Sequence, residues 1–167
     1  RTQSLQNELD KLSRPGELVE MVDAEAKTIR CTACGHRCLL REGRRGICKV
    51  RYNDRGTLKV PHNYVGALQV DPVEKKPFFH VLPGSEVVSF GMLGCDFRCS
   101  YCQNWQISQT LRDDRAGRDY IPITAEHMIT LGAERGARAV ASTYNEPLIT
   151  TEWAVEIFKQ ARQAGMK

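Results

Sequence analysis

The chain has 167 residues, 41% of them hydrophobic and 26% charged, and carries a net charge of +4 at pH 7. That is the profile of one ordinary globular domain, not of a disordered chain, and no apolar run approaches the length needed to cross a bilayer. The opening "RTQSLQNELDKL" has neither an apolar signal core nor a cleavage pattern, so a cytoplasmic location without membrane partners is expected.

Residues 3 to 12 read as a short amphipathic helix, closed by the Pro-Gly turn in "RPGELVE". Next come Cys31, Cys34, Cys38 and Cys48, with Gly35, Gly43 and Gly46 allowing tight turns between them. Four thiols can close a tetrahedral site. Structural zinc and a second iron-sulfur cluster both suit such a set, and free thiols are the third reading. His36 could replace one cysteine, although a capping or solvent-facing role is the expectation for a lone histidine. The same region is basic: Arg37 to Lys59 holds eight basic residues against two acidic ones. Such a segment can attract nucleic acid or an acidic protein, or form a solvated face that offsets metal-bound thiolates. Tyr52 is the only aromatic residue there, which argues against nucleic acid as a partner.

From Tyr52 to Val81 short extended pieces, "TLKVP" and "YVGALQV", are separated by Gly, Pro and Asn. Lys75 and Lys76 read as a solvated pair, and His80 as a packed polar residue. Residues 1–85 are therefore expected to form an N-terminal helix and a four-cysteine metal-binding preface. At Glu86 the pattern changes. "EVVSF" suits a buried parallel strand, Thr124 can cap a helix "AEHMITLGAERG" that stops at Gly136, and "ARAVAS" is a second buried strand. The loop "TYNEP" leads into a helix from about Thr151 to Ala164, stopped by Gly165.

Strand, loop, helix repeated twice is the grammar of a parallel α/β barrel or doubly wound sheet, with chemistry at the C-terminal strand ends. Two such units over 86–167 cannot close a barrel, which takes roughly 250 residues in the eight-stranded case. With "QAGMK" approaching a third strand, part of a longer protein is expected.

The loop after the first strand, "GMLGCDFRCSYCQNW", carries Cys95, Cys99 and Cys102. Three thiolates on a [4Fe-4S] cube, where four are usual, leave one iron open to a cofactor or substrate. The Cys-x3-Cys-x2-Cys spacing differs from that of ferredoxins, and a zinc site would need a fourth ligand from elsewhere. An electron carrier has no use for an open iron.

"CDFRCSYC" resembles the signature of the radical S-adenosylmethionine (SAM) superfamily, and "QNW" after it resembles the pyruvate formate-lyase activating enzymes. "CTACGHRCLLREGRRGICKVR" and "VGALQVDPVEKKPFFHVLPGS" widen the likeness to the radical SAM enzyme of the AmmeMemoRadiSam system, an activating-enzyme homologue. The resemblance implies an α/β fold, a partial radical SAM (β/α) barrel preceded by the small four-cysteine segment. It further implies a [4Fe-4S] cluster on Cys95, Cys99 and Cys102, and SAM chelated by the open iron through its amino and carboxylate groups. Reductive cleavage of SAM then gives a 5′-deoxyadenosyl radical that abstracts a hydrogen atom. Tyr101 is implied beside the adenine. Asn145 and Glu146 of "NEP" resemble a Gly-Gly-Glu-type motif that holds the SAM amino group, with Asn145 where a glycine is usual. Flavodoxin or ferredoxin as electron donor and a protein substrate for glycyl-radical formation complete the implied set. The alternatives to weigh are a zinc-containing nucleic-acid-binding module and a non-catalytic iron-sulfur carrier.

Overall fold

The structure, a computed structural model, describes residues 2–167. Helix α1 (Thr2–Lys11) turns Leu5 and Leu9, four residues apart, onto one buried face. It covers the main core, touching a cluster that includes Tyr64 and Leu93. Two small antiparallel sheets follow. They are built from β1 (Arg14–Pro15), β2 (Val19–Asp23), β3 (Thr28–Cys31), β4 (Leu39–Leu40), β5 (Tyr52–Asp54) and β6 (Thr57–Val60), in the orders β1-β6-β5 and β2-β3-β4. Alternation along β3 and β6 sends Ile29, Cys31, Leu58 and Val60 to one side, where with Leu40 and Ala33 they make a separate small core.

The main sheet contains β8 (Ala67–Pro72), β9 (Glu86–Gly91) and β11 (Ala137–Ser142), whereas the short β7 (Tyr64–Val65) and β10 (Ile121–Pro122) pair with each other. β9 is buried over nearly its whole length, as its unbroken Val-Val-Ser-Phe run requires, and β11 runs parallel to it with Val140 opposite Val88. β8 lies antiparallel along the other side of β9, from Ala67 opposite Gly91 to Pro72 opposite Glu86. This pairing crosses the boundary expected between residues 85 and 86, because a buried central strand needs hydrogen-bond partners on both edges. Beyond α4 (Thr151–Gln163) the chain returns to the sheet. Val140 N donates to Lys167 O at 2.8 Å and Lys167 N to Arg138 O at 2.9 Å, the slanted pattern of a parallel neighbour. Among the described residues the sheet remains open and is not a closed barrel.

Helices cover one face of this sheet. Thr124 Oγ1 accepts from His127 N at 3.2 Å to start α3 (Ala125–Glu134), whose Met128 and Ile129 share a core with Val88. On α4, Trp153 meets Phe90 edge-on with ring centroids 5.9 Å apart. The opposite face carries Gln69, Ser89 and Ala141, which are cross-strand neighbours.

Candidate functional site

The three-cysteine loop leaves β9 at its C-terminal end and turns at Gly94, whose φ is +87°. A Cβ there would also stand 2.7 Å from the Cys48 carbonyl oxygen, so the turn needs glycine on both counts. Gly94 N then donates to Ile107 O at 3.1 Å, while Gln109 Nε2 and Arg112 Nη1 both donate to Phe97 O, at 3.0 and 3.3 Å. The residues that follow the last cysteine, including α2 (Trp105–Ser108), thus brace the loop that carries the first two. Cys95 is buried, Cys102 half-buried and Cys99 exposed, and all three are free thiols.

The loop after β11 closes against it. Thr143 N donates to Phe90 O at 2.8 Å, and Asn145 Nδ2 to Gly94 O at 2.9 Å. The backbone N–H groups of Phe97 and Glu146 both face the Cys95 sulfur; burial pushes that thiol up, and these two donors oppose the shift. Asn145 Oδ1 is buried without a hydrogen-bond partner. The Glu146 carboxylate accepts from Leu148 N at 3.3 Å, capping the 3-10 turn Pro147–Thr150. Tyr101, on the rim of the loop, is 86% exposed.

The first cysteine group forms a wall behind this loop. Arg112 Nη2 donates to the Ile47 carbonyl, and His36 and Phe97 rings pack 6.2 Å apart. Asp96 was not singled out in the sequence, yet its buried side chain joins both groups: Oδ2 lies 3.7 Å from His36 Nε2 and Oδ1 3.9 Å from Cys95 Sγ. Burial pushes the Cys34 thiol up to about 11, with the charge of Asp96 adding to the shift and the His36 N–H opposing it. Arg51, 1% exposed, spans a second junction. Its Nε donates to Cys31 Sγ at 3.3 Å, its Nη1 to Ile149 O at 3.1 Å, and its fork holds the Glu152 carboxylate at 2.6 Å on both sides.

Among the described residues no group of three or more His, Cys, Asp and Glu side chains is placed to hold a metal ion, Cys31, Cys34, Cys38 and Cys48 included, although the Cys38 and Cys48 sulfurs both lie beside Gly46. Cys31 instead faces Arg51 and Cys34 faces Asp96, so zinc finds no support here. No such metal-holding group is placed at Cys95, Cys99 and Cys102 on the site loop either. Its chemistry nevertheless fits an iron-sulfur cluster, with three free thiols on one loop and backbone donors already aimed at a sulfur.

On the helix-free face a cleft of about 710 Å³ is lined by Gln69, Asp71, Lys76, Asn104, Thr143 and Tyr144, among others. It therefore runs from β8 to residues that flank both loops. Lys75 and Lys76 differ from the solvated pair read in the sequence. Lys75 is exposed, but only 14% of the Lys76 side chain is, because β8 and the "TYNEP" loop enclose it.

Residues 90–167 match the family model of the radical SAM superfamily. An uncharacterized protein of Methanocaldococcus jannaschii is 38% identical over 139 residues, or 83% of this chain and 41% of its own length. A second uncharacterized protein of that organism is 31% identical over 104 residues, 59% of this chain and 25% of its own. The chain thus spans about two fifths or less of the curated relatives it matches. No solved structure matches.

Proposed function

From the match of residues 90–167 to the radical SAM superfamily, we propose that this chain is the cluster-bearing part of an enzyme that abstracts a hydrogen atom from its substrate. Cys95, Cys99 and Cys102 would hold a [4Fe-4S] cluster. With SAM bound, that cluster, reduced by an external electron donor, would supply the electron that cleaves the sulfonium C–S bond to methionine and a 5′-deoxyadenosyl radical. The observation that carries the reading is the seam between the two strand-end loops, where Asn145 Nδ2 meets Gly94 O at 2.9 Å and the Glu146 N–H faces Cys95. Chemistry in a parallel unit collects at this end of the strands.

The chain's own residues do the positioning. Donors aimed at Cys95 favour its thiolate. Asn145 and Glu146 border the SAM amino group in this reading, and Tyr101 offers an open aromatic face to adenine. The finer assignment, after the activating enzymes, is a partner protein as substrate and flavodoxin or ferredoxin as electron donor. The basic segment does not favour the nucleic-acid reading, since Arg37 pairs with Glu20, Arg45 with Asp10 and Arg51 with Glu152. Anaerobic reconstitution of the full-length protein with iron and sulfide, then incubation with SAM and dithionite, should yield 5′-deoxyadenosine. A reconstituted protein that binds a cluster but never cleaves SAM would overturn the proposal.

A further inference from the structure

The inner face of the main sheet is unlike a packed barrel core. Cross-strand rows place Gln69, Ser89 and Ala141 side by side, then Asp71, Val87 and Ala139. A filled barrel would present bulky branched side chains in such layers. Here Val87 is branched but the other five residues are small or polar, and the Ser89 hydroxyl, fully buried, has no hydrogen-bond partner. Gln69, Asp71 and Ala141 of these rows line the cleft of about 710 Å³, large enough for a small organic molecule.

Two cations line it, the exposed Lys75 and the more enclosed Lys76. Lys76 Nζ lies 3.7 Å from Asp71 Oδ2, 3.5 Å from the Tyr144 hydroxyl and 5.1 Å from the centre of the Tyr144 ring. Asp71 is already held by Lys75 Nζ, at 2.8 Å from Oδ1, so one carboxylate serves two ammonium groups and the wall keeps a net positive charge. Tyr144 reaches this position with a φ of +70°, a conformation that costs energy in a bulky residue and gathers at ligand sites. Gln69, Gln103 and Asn104 supply neutral donors and acceptors around it. A long lysine held under an aromatic ring, with only a shared counter-charge, is suited to an incoming anion.

We propose that this cleft binds a small organic anion as the substrate of the hydrogen-atom abstraction proposed above, in place of the partner protein that the activating enzymes use, and that Lys76 is the residue that binds its carboxylate or phosphate. Asp71 then competes with the ligand for Lys76, and Tyr144 orients the ammonium. The identification as substrate rests on the radical SAM reading; the anion site itself does not.

The test uses the reconstituted full-length protein with its lysines 13C-dimethylated, the Lys76 signal being assigned through Lys76→Arg. Succinate and inorganic phosphate are the probes. At least one should shift the Lys76 signal saturably. The affinity for that probe should fall at least tenfold in Lys76→Gln, change less than twofold in the surface control Lys11→Gln, and rise several-fold in Asp71→Asn. SAM and decarboxylated SAM separate the other source of a carboxylate. If SAM alone moves the Lys76 signal while decarboxylated SAM and both probes do not, the anion is that of SAM and the proposal is wrong. No shift with either probe, or weaker binding in Asp71→Asn, also overturns it. Formation of 5′-deoxyadenosine is scored separately, so a protein that binds the probe but cleaves no SAM refutes the radical SAM reading and leaves the anion site standing.

Discussion

Asn145 Nδ2 donates to the carbonyl of Gly94 at 2.9 Å, joining the loop after the second parallel strand to the residue before Cys95. The bond is local in space but spans fifty-one positions of sequence. Without it the two loops would keep the backbone contacts and the Glu146 N–H that faces Cys95, and a site made from both would lose its register. Asn145→Ala removes a neutral hydrogen bond worth about 1 kcal/mol, which corresponds to roughly a fivefold weaker SAM affinity if the seam borders SAM. Equilibrium dialysis of the reconstituted protein measures it, and an unchanged dissociation constant would show that the seam does not support SAM.

Cys99 is the exposed member of its loop and serves no packing purpose in this structure. Cys99→Ala should therefore leave the fold intact while abolishing both the brown colour at this site and SAM cleavage. Absorbance near the thiolate-to-iron band and 5′-deoxyadenosine yield are the readouts. A Cys99→Ala protein that still makes 5′-deoxyadenosine would falsify cluster ligation by this residue.

Gly94 is the hinge between β9 and the cysteines. An alanine there pays roughly 1–2 kcal/mol for the left-handed backbone, and its Cβ would stand 2.7 Å from the Cys48 carbonyl. Overpacking of that kind adds typically about 1–3 kcal/mol. Gly94→Ala should lower the unfolding midpoint in urea and reduce the iron bound per chain, because the turn and the wall behind it move together. Full stability with a full complement of iron would show that the Cys48 contact is easily rearranged.

How far these features can be read in advance depends on the range of the interaction. β9 and β11 are legible as strands because "EVVSF" and "ARAVAS" are compact runs between turn residues, although β11 is buried only at Ala137 and not along its length as expected, and the Thr124 cap is legible because it acts three residues away. β8 is legible as an extended piece within "YVGALQV", but its place beside β9 is not, since nothing local says that β9 lacks a partner on that edge. The hairpin of β2 and β3 went unread because β2 is largely exposed and so lacks an apolar stripe. In the site, the cysteine spacing is a local signal. Asp96 is not, as its burial comes from His36 sixty residues earlier in the chain. Lys76 next to Lys75 looks like one solvated pair in sequence, and only the approach of Tyr144 separates them.

Arg51 and Glu152, a pair 101 positions apart, also set the acid stability of the junction between the cysteine preface and α4. Both side chains are almost wholly buried, at 2% and 7% exposure, with two N···O distances of 2.6 Å. Glu152→Gln leaves a buried guanidinium without its counter-charge and should cost about 3–5 kcal/mol, whereas Arg51→Met with Glu152→Met, which removes both charges, should recover most of that loss. Burial alone would raise the Glu152 carboxyl, but the hydrogen bonds and charge of Arg51 outweigh it and hold the group below its ordinary 4.5. A carboxyl lowered in the folded state binds its proton more readily when unfolded. Its stabilisation is therefore complete above about pH 4.5 and is lost as pH falls through the folded value. Glu156, held by Arg14 and His62, adds a similar dependence that stays in both proteins and cancels on comparison. Urea unfolding from pH 7 down to pH 3 should thus show a shallower acid loss in the double variant than in the parent chain. Equal acid slopes would mean that Glu152 keeps its charge no more strongly folded than unfolded, and that Arg51 holds the junction by packing alone.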